Sequence, residues 1–68
     1  MAAASLPNTV ILRRPQVQTR TGLARSTMYH LMSSGQFPRP IQLTHRTVGW
    51  IEFEIDAWVA ARVAKSRK

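Results

Sequence analysis

Apolar residues recur at helical spacing in two stretches of the chain and at alternate positions in two others. Leu23, Met28, Leu31 and Met32 fall on one side of a helix expected over residues 24–34. Ile51, Ile55, Trp58, Val59 and Arg62 line one face of a helix expected over residues 52–64, which should close over the two helices before it. Trp50 and Trp58 both belong to the core on this pattern. Ile41 and Leu43, then Val48 and Trp50, alternate with polar residues or glycine, and the polar residues 44–47 join the two runs as the tip of a β-hairpin. Thr9, Val10, Ile11 and Leu12 form a short β-prone run suited to an edge strand. Pro15 suits the first position of a short helix over residues 15–20, where its missing N–H costs nothing, and Val17 is that helix's main inward residue.

Glycine and proline punctuate these elements. Gly22 sits where the first helix must stop and turn, because glycine takes positive φ without penalty. Gly35 follows the second helix as its C′ residue, with Pro38 just beyond. Phe37, Pro38, Arg39 and Pro40 read as a stiff extended linker, since each proline disfavours helix at the residue before it. Residues 1–8 read as a disordered lead-in, residues 9–64 as one domain, and residues 65–68 as a basic, frayed tail. Helix, glycine turn, helix and then a hairpin with a basic tip is a winged helix-turn-helix: mainly α, with three helices and a small β-hairpin wing.

Charge gives this fold a partner. The chain has 68 residues and a net charge of +7, and its only acids, Glu52, Glu54 and Asp56, lie within five residues of one another. Arg13, Arg14, Arg20, Arg25, Arg39 and Arg46 all precede them with no acid between. Positive charge so unopposed repels itself unless a polyanion neutralises it, and double-stranded DNA is the expected one. A membrane surface would call for a basic amphipathic helix bearing Trp or Phe, whereas the Trp-bearing helix here begins with acids. No run approaches the ~18 apolar residues of a membrane span, and the first residues lack the charged start and apolar run of a signal peptide. The expected location is cytoplasmic, associated with the nucleoid when DNA is bound. There is no cysteine, which excludes disulfides and thiolate zinc sites.

The second helix presents Arg25, Ser26, Tyr29, His30 and Ser33 opposite its apolar side, all hydrogen-bond donors and none negative. Such a surface suits the major groove. Arg25 can grip guanine O6 and N7, or a phosphate. Ser26 and Thr27, near the helix N-terminus, suit phosphate oxygens, with a simple capping role as the alternative for Thr27. Tyr29 and His30 stand one turn further on; Tyr29 can instead lay its ring on the core. His45 and Arg46 at the hairpin tip suit backbone or minor-groove contact, against a plain solvated turn. Arg20 and Arg39 complete the expected DNA-binding set, and Arg13 and Arg14 flank it, with a solvated role open for each. Two histidines on separate elements without cysteine make no expected metal site, and no cofactor is expected. Nor is catalysis: the acids are accounted for by the helix dipole, and no nucleophile has a base at a recognisable spacing. On the last helix, Phe53, Ala57, Ala60 and Ala64 form a strip opposite the core face. It suits contact with a second protomer, an integrase or a polymerase, or it reflects helix propensity alone.

Four motifs, R-T-G-L-A-R-S-T-M-Y-H-L, F-P-R-P-I-Q-L, V-G-W and E-I-D-A-W, resemble those of the AlpA family of prophage regulators in order and spacing, over residues 11–62. That family is similar in fold to MerR-like winged helices and to phage excisionases. The resemblance implies a prophage-type transcriptional regulator that activates a gene for excision or integration. Alternatives are an excisionase that bends attachment-site DNA, or a helix-turn-helix used for protein contact in phage assembly. The chain departs from the family at Ala24, where a capping serine is usual and alanine loses about 1 kcal/mol. It departs again at His30, where Arg or Lys is usual, and at Ile51 and Phe53, where polar residues are usual.

Overall fold

A computed structural model of the chain describes residues 9–67. The elements run β1 (Ile11–Leu12), α1 (Arg14–Thr21), α2 (Arg25–Ser33), β2 (Ile41–Gln42), β3 (Val48–Ile51) and α3 (Glu52–Ser66). These three helices and a small antiparallel sheet form a winged helix-turn-helix. The expected lead-in of residues 1–8, like Lys68, lies outside the described residues.

Each local signal has its structural counterpart. Gly22 takes φ 73°, and its N–H donates to the Gln18 carbonyl at 2.7 Å, which ends α1 and turns the chain into α2. The Thr21 hydroxyl donates to the Val17 carbonyl at 2.8 Å and accepts from the Leu23 N–H at 3.3 Å, bracing the same turn. Gly35 takes φ 77° after α2. Ala24 occupies the N-cap of α2 without a side-chain hydrogen bond, so the first amides of that helix have no capping oxygen.

The sheet has one strand more than a bare hairpin. Its order is β1-β3-β2: β3 pairs with β2 in the register Ile41↔Gly49 and Gln42↔Val48, and with β1 in the register Ile11↔Ile51 and Leu12↔Trp50. The N-terminal run is thus an edge strand laid along the wing's second strand. At Gly49 the strands leave no room for a side chain. A Cβ there would meet the Ile11 side chain and stand 3.1 Å from the Leu12 carbonyl oxygen, which is why a hydrogen occupies that position between Val48 and Trp50.

The core takes one buried side chain from nearly every element: Leu12, Val17, Met28, Phe37, Trp50 and Ile55. Leu23, Leu31, Met32 and Trp58 pack around it, half-buried. Phe37, expected in the extended linker, is instead a core residue. It precedes Pro38 and meets Trp58 edge to face, with ring centroids 4.8 Å apart, while the Trp58 indole N–H donates to the Gln36 carbonyl at 2.7 Å. The linker is therefore fastened to α3. α3 packs mainly on α1 and β3 rather than over both α1 and α2 as expected, because β3 runs directly into it. Arg62, expected on the core face, is exposed, yet its guanidinium lies over the Trp58 ring at 4.7 Å. α3 runs two residues beyond the expected end at residue 64, taking in Lys65 and Ser66. No glycine or proline stops it, and basic residues suit a helix C-terminus. Among the described residues, no helix is long and apolar enough to cross a membrane.

Candidate nucleic-acid interface

α2 carries five of the expected contact residues outward. Met28 is its buried residue, with Leu31 and Met32 half-buried beside it, and this orientation leaves Arg25, Ser26, Thr27, Tyr29 and His30 exposed. Ser26 and Thr27 lie in the first turn, beside the amides that Ala24 leaves uncapped. The Arg25 guanidinium lies 5.9 Å from the centroid of the Tyr29 ring, near the outer limit of a cation–π contact. Tyr29 is itself 41 % exposed, so it is not a core residue.

The wing tip is built from its own backbone. The Leu43 and Thr44 N–H groups donate to the Thr47 carbonyl at 2.7 and 3.1 Å, and the Arg46 N–H donates to the Thr44 hydroxyl at 3.3 Å. The Gln42 amide adds a bond to the His45 carbonyl at 3.1 Å. These bonds hold the turn while the side chains of His45 and Arg46 stay exposed. Tip and helix converge. Tyr29 of α2 and Arg46 of the wing line one cleft together with Arg13, Arg14 and Trp50.

The structure separates two residues from this group. Arg20 on α1 binds two acids of α3: its Nη1 donates to both carboxylate oxygens of Asp56 at 2.9 and 3.2 Å, and its Nη2 to Glu52 at 2.6 Å. Those bonds, first to Asp56 and then to Glu52, raise its pKa above the ordinary arginine value. The two acids that suit the helix dipole thus also tie α3 to α1, and Arg20 is occupied by them rather than held free for DNA. Arg39 stands elsewhere, along an apolar groove with Ile41, Phe53, Ala57 and Trp58. Phe53, Ala57, Ala60 and Ala64 are all exposed, and Phe53 is 77 % so. His30 and His45 lie on separate elements, and no cluster of three metal-ligating side chains occurs among the described residues.

Comparison with known proteins places this architecture. The sequence model of the prophage CP4-57 regulatory protein (AlpA) family matches residues 10–63, nearly the whole span of the six elements. ORF88, an uncharacterized protein of Enterobacteria phage P4, is 40% identical over 57 residues, an alignment covering 84% of this chain and 65% of that protein. The DNA-binding transcriptional activator AlpA of Escherichia coli (strain K12) is 41% identical over 58 residues, covering 76% of this chain and 83% of that protein. The chain therefore spans a little under two thirds of the phage relative and most of the bacterial one. With the helix-turn-helix, the three-stranded sheet and the match over 54 consecutive positions in agreement, the chain belongs to the AlpA family of prophage regulatory proteins.

Proposed function

We propose that this protein binds double-stranded DNA sequence-specifically and regulates transcription of prophage excision or integration genes. One observation carries the reading. The outward face of α2 is free of acids, and at Tyr29 it joins the basic wing tip at Arg46 in a continuous surface. α2 enters the major groove, with Arg25 on a base edge and Ser26 and Thr27 on phosphate. Tyr29 and His30 extend the contact along the helix, and His45 and Arg46 reach the flanking backbone. The name of the bacterial relative supports the regulatory role. On this reading the protein acts in the cytoplasm by binding alone and catalyses nothing. The rival reading within the same surface is an excisionase that bends attachment-site DNA. Footprinting on the protein's own genomic flanks, with a bending measurement on the protected fragment, tests both. Protection over a promoter without a bend supports the regulator; protection confined to an attachment site with a sharp bend supports the excisionase.

The exposed strip on α3 supports a second contact, with another copy of this chain on adjacent DNA. Phe53 projects beside an apolar groove that also carries Arg39 and Glu54, opposite charges that a second copy can match in reverse. Phe53→Glu leaves folding and single-site binding intact and abolishes cooperative occupation of adjacent sites. Unchanged cooperativity in that variant removes the strip as an interface.

A further inference from the structure

The cleft between the start of α1, the outer face of α2 and the wing has a volume of about 320 Å³, and three of its lining residues are arginines. Arg13 and Arg14 come from the β1–α1 junction and Arg46 from the wing tip, so residues distant in sequence have been brought together. None of the three makes an ion pair among the described residues; the acids that do form ion pairs, Glu52 and Asp56, are bound to Arg20 at the other end of α1. Like charges converge only at an electrostatic cost unless an anion joins them. The backbone adds to the same sign, because the cleft lies at the N-terminus of α1, whose first turn contains no acidic residue.

The donors point the same way. Trp50 is 1 % exposed and lines the cleft, and its indole Nε1 has no hydrogen-bond partner. Arg14 Nε is likewise shut off from solvent without a partner. Buried donors are rarely left unsatisfied, and both of these belong to residues that line the one basic cleft. Tyr29 adds a hydroxyl from α2. Three guanidinium groups and a phenol line the cleft, with the unpartnered indole N–H behind its wall, a donor set that suits a tetrahedral oxyanion.

We propose that this cleft is a phosphate seat, holding a backbone phosphodiester of bound DNA between Arg13, Arg14 and Arg46. The proposal rests on the DNA-binding reading above and adds to it a fixed anchor point built from the start of α1 and the wing. Arg13 and Arg14 hold the anion from the start of α1 and Arg46 closes it from the wing, and a small opening of the wall gives it the Arg14 Nε–H and the Trp50 indole N–H. Because the seat joins α1, α2 and the wing, an occupied seat also fixes the angle between wing and recognition helix.

The test uses the two tryptophans. In nitrogen–proton spectra of the full chain, the Trp50 indole N–H reports on the seat, and the Trp58 indole, bonded to Gln36, serves as the folded reference. Titration with inorganic phosphate is expected to shift the Trp50 indole and Arg14 Nε–H signals saturably and leave Trp58 in place. Arg14→Gln is expected to weaken that response about tenfold or more with the Trp58 signal unchanged. A short duplex of random sequence is expected to move the same two signals and to displace phosphate. If the duplex shifts α2 amides but leaves Trp50 and Arg14 unmoved, the seat is wrong and the DNA-binding reading stands. If phosphate moves them and the duplex binds nowhere, the seat takes a free phosphate: the assignment to DNA is overturned, and the DNA-binding reading fails with it. If neither probe moves them, the seat is overturned outright.

Discussion

Arginine is treated in opposite ways on two parts of this small domain. Between α1 and α3, Arg20 is held by Glu52 and Asp56. Where the β1–α1 junction, α2 and the wing meet, Arg13, Arg14 and Arg46 gather without an acid. The net charge of +7 is therefore not a uniform coat. Two of the three acids are drawn to one side, which leaves the other uncompensated. Cationic side chains in a folded domain divide into those that already have an anion and those that await one, and only the second kind can contribute to binding a polyanion. The comparison assigns stability to the first region and function to the second.

The largest expected effect abolishes the distinction. Trp50 is at once the centre of the core and a wall of the basic cleft, so Trp50→Ala should cost about 3–5 kcal/mol. For a domain that gains only a few kcal/mol from its core, that loss unfolds it. Circular dichroism at room temperature is expected to show loss of helix, and retention of a cooperative thermal transition would contradict the placement of Trp50 at the centre. Next comes the face of α2. Arg25→Ala should cost about 1–3 kcal/mol on the specific site and little on random DNA, as read in competition titrations. Equal discrimination by the variant and the original protein would remove Arg25 from base reading.

The smallest effect sharpens the comparison most. Arg20→Ala is expected to lower the thermal midpoint modestly at low salt, with the difference shrinking at high salt as the exposed ion pairs are screened. DNA binding by the folded variant should be unchanged. A loss of affinity matching that of Arg46→Ala would mean that Arg20 serves both regions.

Much of this arrangement is legible in the sequence. Gly22, Gly35 and Pro15 locate the helix ends, and the alternation through Ile41 and Trp50 locates the wing, because both are local signals. The face of α2 follows from Leu23, Met28, Leu31 and Met32 once the helix is recognised. What periodicity leaves out is contact between distant segments. Nothing local tells that β1 lies along β3, that Phe37 turns back onto Trp58, or that Arg20 meets acids more than thirty positions away. The basic cleft is hidden for the same reason. Arg13 and Arg14 read as flanking charges until the fold brings Arg46 and Trp50 beside them, although the R-R-P run opening a helix with no acid in its first turn is a usable signal.

The division between paired and unpaired arginines is tested most directly by the salt dependence of DNA binding. With about four to six phosphates neutralised, the logarithm of the affinity should fall against the logarithm of salt concentration with a slope of roughly −4 to −5. Arg46→Ala should make that slope shallower by about 1, and Arg20→Ala should leave it unchanged. A slope for the original protein shallower than about −2, or an equal flattening in both variants, would contradict the account.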